Sequence, residues 1–188
     1  MIDPFNRLGT VRLGGGVLNR FERDHLRTAD GTPLQRDRLT HPGAVVVVAV
    51  EAGGIWLLRQ WRPAVGEWVW ELPAGLLEPG EEPLAAAARE CEEEIGRAPG
   101  SLRALGSVVT SPGILDERCH VFEATDLSEV PARPDGPEEA LAERHLVSIP
   151  DLPSRLATGE IRNAITISAL ALAGALGGDI TEGDGTDQ

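Results

Sequence analysis

The sequence predicts an α/β sandwich preceded by a small antiparallel β element. Three observations carry this. Ala44-Val-Val-Val-Val-Ala-Val50 is a short continuous β-branched run, the pattern of a strand buried on both faces. Further strand-like segments are interleaved with helical ones after it. Residues 1–40, by contrast, are polar and only weakly alternating.

Taken in order, Val17, Asn19, Phe21 and Arg23 alternate with Leu18, Arg20, Glu22 and Asp24, and Gly14-Gly15-Gly16 and Asp30-Gly31 are turn signals. An element of this kind cannot build a core alone, so it must lean on the main domain or on a second subunit. The main domain spans residues 41–178, with its first strand opening after Gly43. Gly53-Gly54 turns the chain into a second strand over 55–62; Pro63 and Gly66 break it, and Trp68-Val-Trp70 resumes extended structure. A helix follows from Pro83 to Gly96, then strands over 102–110 and 119–124. Residues 126–138, Pro-rich and acidic, read as a loop, and 145–149 as a last short strand. Helices are predicted over 150–158 and 160–177, stopped by Gly177-Gly178, with a disordered acidic tail over 179–188.

The chain has 188 residues, a net charge of −13, and 17 cations that are all Arg. That acid excess argues against a duplex nucleic-acid binder, whose affinity comes from neutralised phosphates, and against docking on an anionic membrane. It does not exclude an anionic substrate, because a bound metal inverts the local field. The segment Met1-Ile-Asp-Pro-Phe-Asn-Arg7 lacks the apolar core of a signal peptide. The apolar stretch from Ala164 to Gly178 is shorter than the span of about 20 residues that a bilayer needs. Cys91 and Cys119 make neither a disulfide framework nor a zinc spacing, as expected of reduced thiols in a cytoplasmic protein. His25, His41, His120 and His145 have no ligand spacing, and no GK[ST] or GxGxxG follows Gly14-Gly15-Gly16.

The strongest signal is the helix from Pro83 to Gly96. Leu84, Ala88, Cys91 and Ile95 form one apolar stripe, and at about 100° per residue Glu90, Glu93 and Glu94 cluster on a different face. Ala86 and Ala87 lie on that acidic face one turn earlier, where small side chains would leave room for an approach to the carboxylates. The crowding is unfavourable in an empty helix. Negative charge sits at the dipole's disfavoured end, and Glu90 and Glu94 are a like-charge i,i+4 pair costing a few tenths of a kcal/mol. Divalent cations explain the cluster, since hard carboxylate oxygens suit Mg²⁺ or Mn²⁺ bridging to substrate phosphates.

These residues carry a resemblance. Gly75, Glu81 and Arg89-Glu90-Cys91-Glu92-Glu93-Glu94-Ile95-Gly96 resemble the Nudix box, G-x5-E-x7-R-E-U-x-E-E-x-G-U with U apolar. Every charged and Gly position matches; the last U is Arg97, a departure that bears on the packing after the helix. Glu71-Leu-Pro-Ala-Gly75, Ser111-Pro112-Gly113, the stretch from Ile114 to Phe122 and Gly159-Glu-Ile-Arg-Asn-Ala164 resemble segments of the ADP-ribose pyrophosphatase subfamily in the same order.

The resemblance implies a Nudix-type α/β/α sandwich with a mixed sheet. It also implies Mg²⁺- or Mn²⁺-dependent hydrolysis of ADP-ribose, or a related nucleoside diphosphate sugar, to AMP and ribose 5-phosphate, with two to three ions. It makes Glu90 and Glu94 the main metal ligands with Glu93 close by, adds the backbone carbonyl of Ala74, and makes Arg89 a structural anchor. Glu71 would fix the substrate or its loop, and Pro112 would shape the pocket. The general base would lie in a late loop at Glu138 or Glu139, with Glu93 as the alternative. From the residues themselves, Trp56 reads as core, while Trp61, beside Arg59 and Arg62, is placed to stack a base as an Arg meets a phosphate. By the same resemblance the N-terminal strands cross to a partner subunit, which predicts a homodimer. The alternatives are a Nudix hydrolase of another nucleotide sugar or a nucleoside triphosphate, a non-catalytic ADP-ribose-binding module, and an acidic interaction domain without metal.

Overall fold

A run of β-branched residues can be a strand only if both of its faces are covered, and the architecture is built around that requirement. The computed structural model describes residues 5–16 and 19–176. Val17 and Leu18, the Gly177-Gly178 helix stop and the predicted acidic tail lie outside the described residues.

The first three strands, β1 (Phe5–Gly15), β2 (Arg20–Thr28) and β3 (Pro33–Thr40), form an antiparallel sheet of their own in the order β1-β2-β3. The main sheet has seven strands: β4 (Ala44–Glu51), β5 (Gly54–Arg62), β6 (Glu67–Glu71), β7 (Ala74–Leu76), β8 (Arg97–Val109), β9 (Arg118–Glu129) and β10 (Glu143–Ser148). Its main path runs β10-β5-β4-β9-β8, with β6 added to β5 and β7 to β4. Only β4 and β9 pair in parallel, so the sheet is mixed. Helix α1 (Pro83–Ile95) covers one face, and α3 (Leu152–Ala157) and α4 (Ala164–Leu172) the other; α2 (Pro137–Ala140) is a single turn.

Strand β4 shows why both faces are apolar. Val46 and Val48 join Leu152, Ile161 and Leu170 on the α3–α4 side. Val45, Val47 and Ala49 join Ala86, Ala87, Cys91 and Ile95 on the α1 side. Along the same edge of β4, β5 pairs only at Val50 and Glu51, and β7 takes over at Ala44–Val46. The sheet therefore splits beside β4, and β7 delivers the chain to α1 at that split.

Several boundaries differ from the sequence reading. Strand β8 begins earlier than the predicted 102, at Arg97, and β9 runs on from the predicted 124 to Glu129; Pro99 falls within β8, which is an edge strand, the place where a sheet tolerates proline. The single helix predicted over 160–177 is shorter, since Asn163 caps α4 by accepting from Thr166 N at 2.9 Å and Gly174, at φ 69°, ends it. The helix predicted over 150–158 begins instead as a 3-10 turn at Ile149–Asp151. The acidic helix is rotated relative to its predicted stripe. Leu84 is exposed and Ala88 half-buried, while Ala86 and Ala87 are fully buried, so those alanines close against the sheet rather than leave room over the carboxylates. Packing a helix close to a valine-rich strand selects its smallest side chains. Arg97 fills its apolar position by laying its guanidinium over the Trp56 ring, 4.8 Å from the centroid, while Nε donates to Glu51 at 3.0 Å.

Candidate functional site

The split beside β4 opens a cleft of about 900 Å³, a size suited to a nucleotide-scale ligand. One side is apolar, with Val65, Val69, Leu72 and Ile165; the other is acidic, with Glu71, Glu90, Glu93 and Glu139.

The acidic side is assembled by rotating α1 so that two of its carboxylates face the sheet. Glu90 and Glu94 are each only 4% exposed. Glu94 Oε2 accepts the Ala74 N–H at 2.8 Å, which ties α1 to β7. Glu90 packs on Gly75, and the bare backbone is necessary: a Cβ there would stand 2.6 Å from Glu90 Oε2 and closer still to Oε1. Arg89 reaches both oxygens of Glu81 at 2.9 and 3.0 Å, Glu90 at 2.7 Å, Glu93 at 3.0 Å and the Leu76 carbonyl at 3.1 Å. It thus knots the loop after β7 to the acidic helix, and these carboxylates hold its guanidinium well above its ordinary pKa.

The charge is poorly compensated. Burial lifts Glu90 to about 7, with Arg89 working the other way and Glu139 and Glu93 adding to the rise. Glu94 moves in the same direction, through burial and then through Glu90. Among the described residues no three His, Cys, Asp or Glu side chains already converge as an ion cage. The donor set nevertheless suits a hard divalent cation. It offers buried carboxylate oxygens with raised proton affinity, partnered mainly by one Arg and held where Gly75 clears space for Glu90.

The remaining predicted residues divide. Glu71 and Arg62 both line the cleft and hold each other bidentately, at 3.0 and 2.5 Å. Glu139 also lines it, from α2, and accepts from Asp135 N at 2.6 Å. Burial, then Asp135 and Glu93, lift its pKa. Its neighbour Glu138 is exposed and is not part of the wall. Arg59, Trp61 and Pro112 do not line the cleft. Alternation along β5 sends Arg59 and Trp61 to the face opposite Arg62. There Arg59 pairs with Glu143 at 3.2 Å and stacks on Trp68, and Trp61, 40% exposed, meets Trp68 edge-on. Pro112 sits in an exposed turn where Ile114 and Leu115 both donate to the Ser111 carbonyl.

Sequence reasoning missed Glu117 and Asp135, which join the acidic wall, and Thr166, whose Oγ1 accepts from Leu72 N at 3.1 Å and pins α4 beside β7. The Asn163-Ala-Ile-Thr166 capping pattern was a usable signal for the last. Cys91 and Cys119 are free and buried, and burial pushes both thiols up to about 12, which leaves them without nucleophilic character.

Comparison with known proteins is consistent with this geometry. The NUDIX domain family matches residues 39–169. The chain is 37% identical over 169 residues to an ADP-ribose pyrophosphatase of Mycobacterium tuberculosis, covering 88% of this chain and 81% of that protein. It is 35% identical over 157 residues to an ADP-ribose pyrophosphatase of Bacillus subtilis, covering 83% and 84%. A crystal structure of an ADP compounds hydrolase superposes with a TM-score of 0.79 over 92% of this chain and 94% of that one; at 22% identity, that likeness concerns the fold.

Proposed function

The chain belongs to the Nudix family, and from that premise we propose that it hydrolyses the pyrophosphate bond of ADP-ribose to AMP and ribose 5-phosphate. The observation that carries this reading is the junction of Gly75 with Glu90 in the acidic wall of a nucleotide-sized cleft, with Glu94 buried outside that wall and tied to Ala74.

Glu90, Glu94 and Glu93, with the Ala74 carbonyl, would hold two to three Mg²⁺ or Mn²⁺ ions with substrate. Such ions supply charge neutralisation at the pyrophosphate and a water of lowered pKa. The protein's own groups do the rest. Glu139 lies across from α1, and its raised proton affinity suits it to take a proton as a water oxygen bonds to one phosphorus and the bridging P–O bond breaks. Glu93 is the alternative base. Arg62, fixed by Glu71, presents positive charge to a phosphate oxygen. The apolar side at Val65, Val69 and Ile165 accepts a nucleobase. Arg89 anchors the box and takes no part in proton transfer.

The test is a panel of nucleoside diphosphate sugars and nucleoside triphosphates with Mg²⁺, the products separated chromatographically, with wild type beside Glu94→Gln. AMP plus ribose 5-phosphate from ADP-ribose, lost in a variant that still folds, supports the reading. A monophosphate plus pyrophosphate from a triphosphate, with ADP-ribose untouched, overturns it.

We also infer a homodimer formed through the N-terminal sheet. Leu8, Val11 and Leu13 of β1 are about half exposed, a costly surface for an isolated chain. A monomeric mass by sedimentation at full activity would refute it. Two free buried thiols fit a cytoplasmic location; among the described residues no helix is long and apolar enough to cross a membrane.

A further inference from the structure

All three strands of the N-terminal sheet converge on Asp24, which holds the guanidinium of Arg38. Arg38 Nε donates to Asp24 at 2.9 Å and Nη2 to Glu22 at 2.7 Å. Asp24, 3% exposed, also takes Thr10 Oγ1 at 2.5 Å and Arg7 at 3.2 Å from β1. The remaining arm, Nη1, leaves the sheet and bonds Asp116 Oδ2 at 2.8 Å. Asp116 Oδ1 accepts the His41 N–H at 2.7 Å, and Leu39 exchanges backbone bonds with Ile114 and Asp116. The 111–117 segment is thereby sewn to β3.

The next residue, Glu117, is the one that lines the cleft. Its carboxylate takes Thr110 Oγ1 at 2.5 Å and faces His41 Nε2 at 3.6 Å. His41 Nδ1 accepts from Gly43 N at 3.2 Å, which assigns the neutral ring's hydrogen to Nε2, the atom facing Glu117. A continuous set of contacts therefore runs from a buried carboxylate in the N-terminal sheet to an acidic group in the cleft wall.

We propose that Arg38 is a positioning residue. Through Asp116 it fixes the 111–117 segment and so sets where Glu117 stands in the cleft, making the N-terminal sheet part of the active-site scaffold. Arg38 and Asp116 themselves are not in the wall. The kinetic consequence rests on the ADP-ribose reading above, whereas the structural claim does not.

The experiment is a double-mutant cycle of Arg38→Ala and Asp116→Ala, with Arg38→Lys and Arg23→Ala as controls. Among the described residues Arg23 pairs with Asp37 on the same sheet and with no other acid. Each single variant is expected to raise KM about ten-fold with kcat nearly unchanged, the double variant to be no worse than either, and lysine to recover part of the loss. Arg23→Ala should match wild type. Additive effects, or activity falling only with the folded fraction at constant KM, overturn the proposal. Amide exchange across residues 113–118 needs no substrate and should accelerate in Arg38→Ala; unchanged exchange also overturns it. A wild type inert toward ADP-ribose counts against the substrate reading alone, and exchange then decides the positioning claim. Should Arg38→Ala not fold, Asp116→Asn keeps the side-chain size and carries the same test.

Discussion

Replacing Gly75 by alanine tests the centre of the proposed site with one methyl group. The new Cβ would stand 2.6 Å from Glu90 Oε2, and ordinary contact begins near 3.4 Å, so the carboxylate must retreat by about 1 Å or more. The obstacle is the end of a side chain, and the chain can absorb it. Alanine in a strand gains up to about 1 kcal/mol over glycine, and loosening the Arg89–Glu90 pair at 2.7 Å loses a similar amount. Stability should therefore change little. Function should not be spared, because a displacement of about 1 Å at a reacting centre can cost about 100-fold. Thermal unfolding should give a Tm within a few degrees of wild type, release of AMP from ADP-ribose under saturating Mg²⁺ should fall about 100-fold, and calorimetry should show weakened Mg²⁺ binding. Activity within about three-fold of wild type at unchanged Mg²⁺ affinity would refute the placement of the metal site.

Three further outcomes are expected. Glu139→Gln should lower kcat by about 100-fold or more while Glu138→Gln stays near wild type, since only Glu139 lines the cleft; equal losses in steady-state assays would contradict the choice of base. Glu90 titrates near 7 in the folded chain against an ordinary 4.5, and Glu94 shifts the same way. The folded state thus holds protons that the unfolded state has lost, and the protein in EDTA should lose stability as pH rises from about 5 to about 8. The depressed carboxylates of Asp24 and Glu81 act oppositely, but only below that window. Saturating Mg²⁺ should flatten the decline, which a Tm series across pH with and without metal will read. Trp61→Ala should leave KM for ADP-ribose unchanged, because Trp61 lies off the cleft; a rise of ten-fold or more would show that it contacts substrate.

How much was legible depended on whether a feature is local in sequence. The Glu81, Arg89, Glu90, Glu93 and Glu94 constellation lies within one loop and one helix, so its spacing alone places those groups together. The buried strand at Ala44–Val50 was equally plain, since one continuous apolar run suffices. The rotation of α1 was not. Leu84 looks like core by periodicity, yet burial follows which side chains let the helix approach β4, and that selects Ala86 and Ala87. Glu138 and Glu139 are adjacent and chemically equal in the sequence, and only the single turn of α2 separates one into the cleft.

Residue by residue, then, the sequence by itself determined the family, the valine strand, and an acidic helix that is unfavourable without cations. The net charge of −13 thereby divides between dispersed acids and the cluster at Glu90, Glu93 and Glu94, for which we propose a metal. The tertiary structure alone decided which acids face the cleft, that Arg62 is held by Glu71, and that Arg38 reaches Asp116 across 78 positions. The physical reason is range. Helical periodicity and turn chemistry act over a few residues, whereas burial, desolvation and ion pairing depend on neighbours that only the packed sheet brings together.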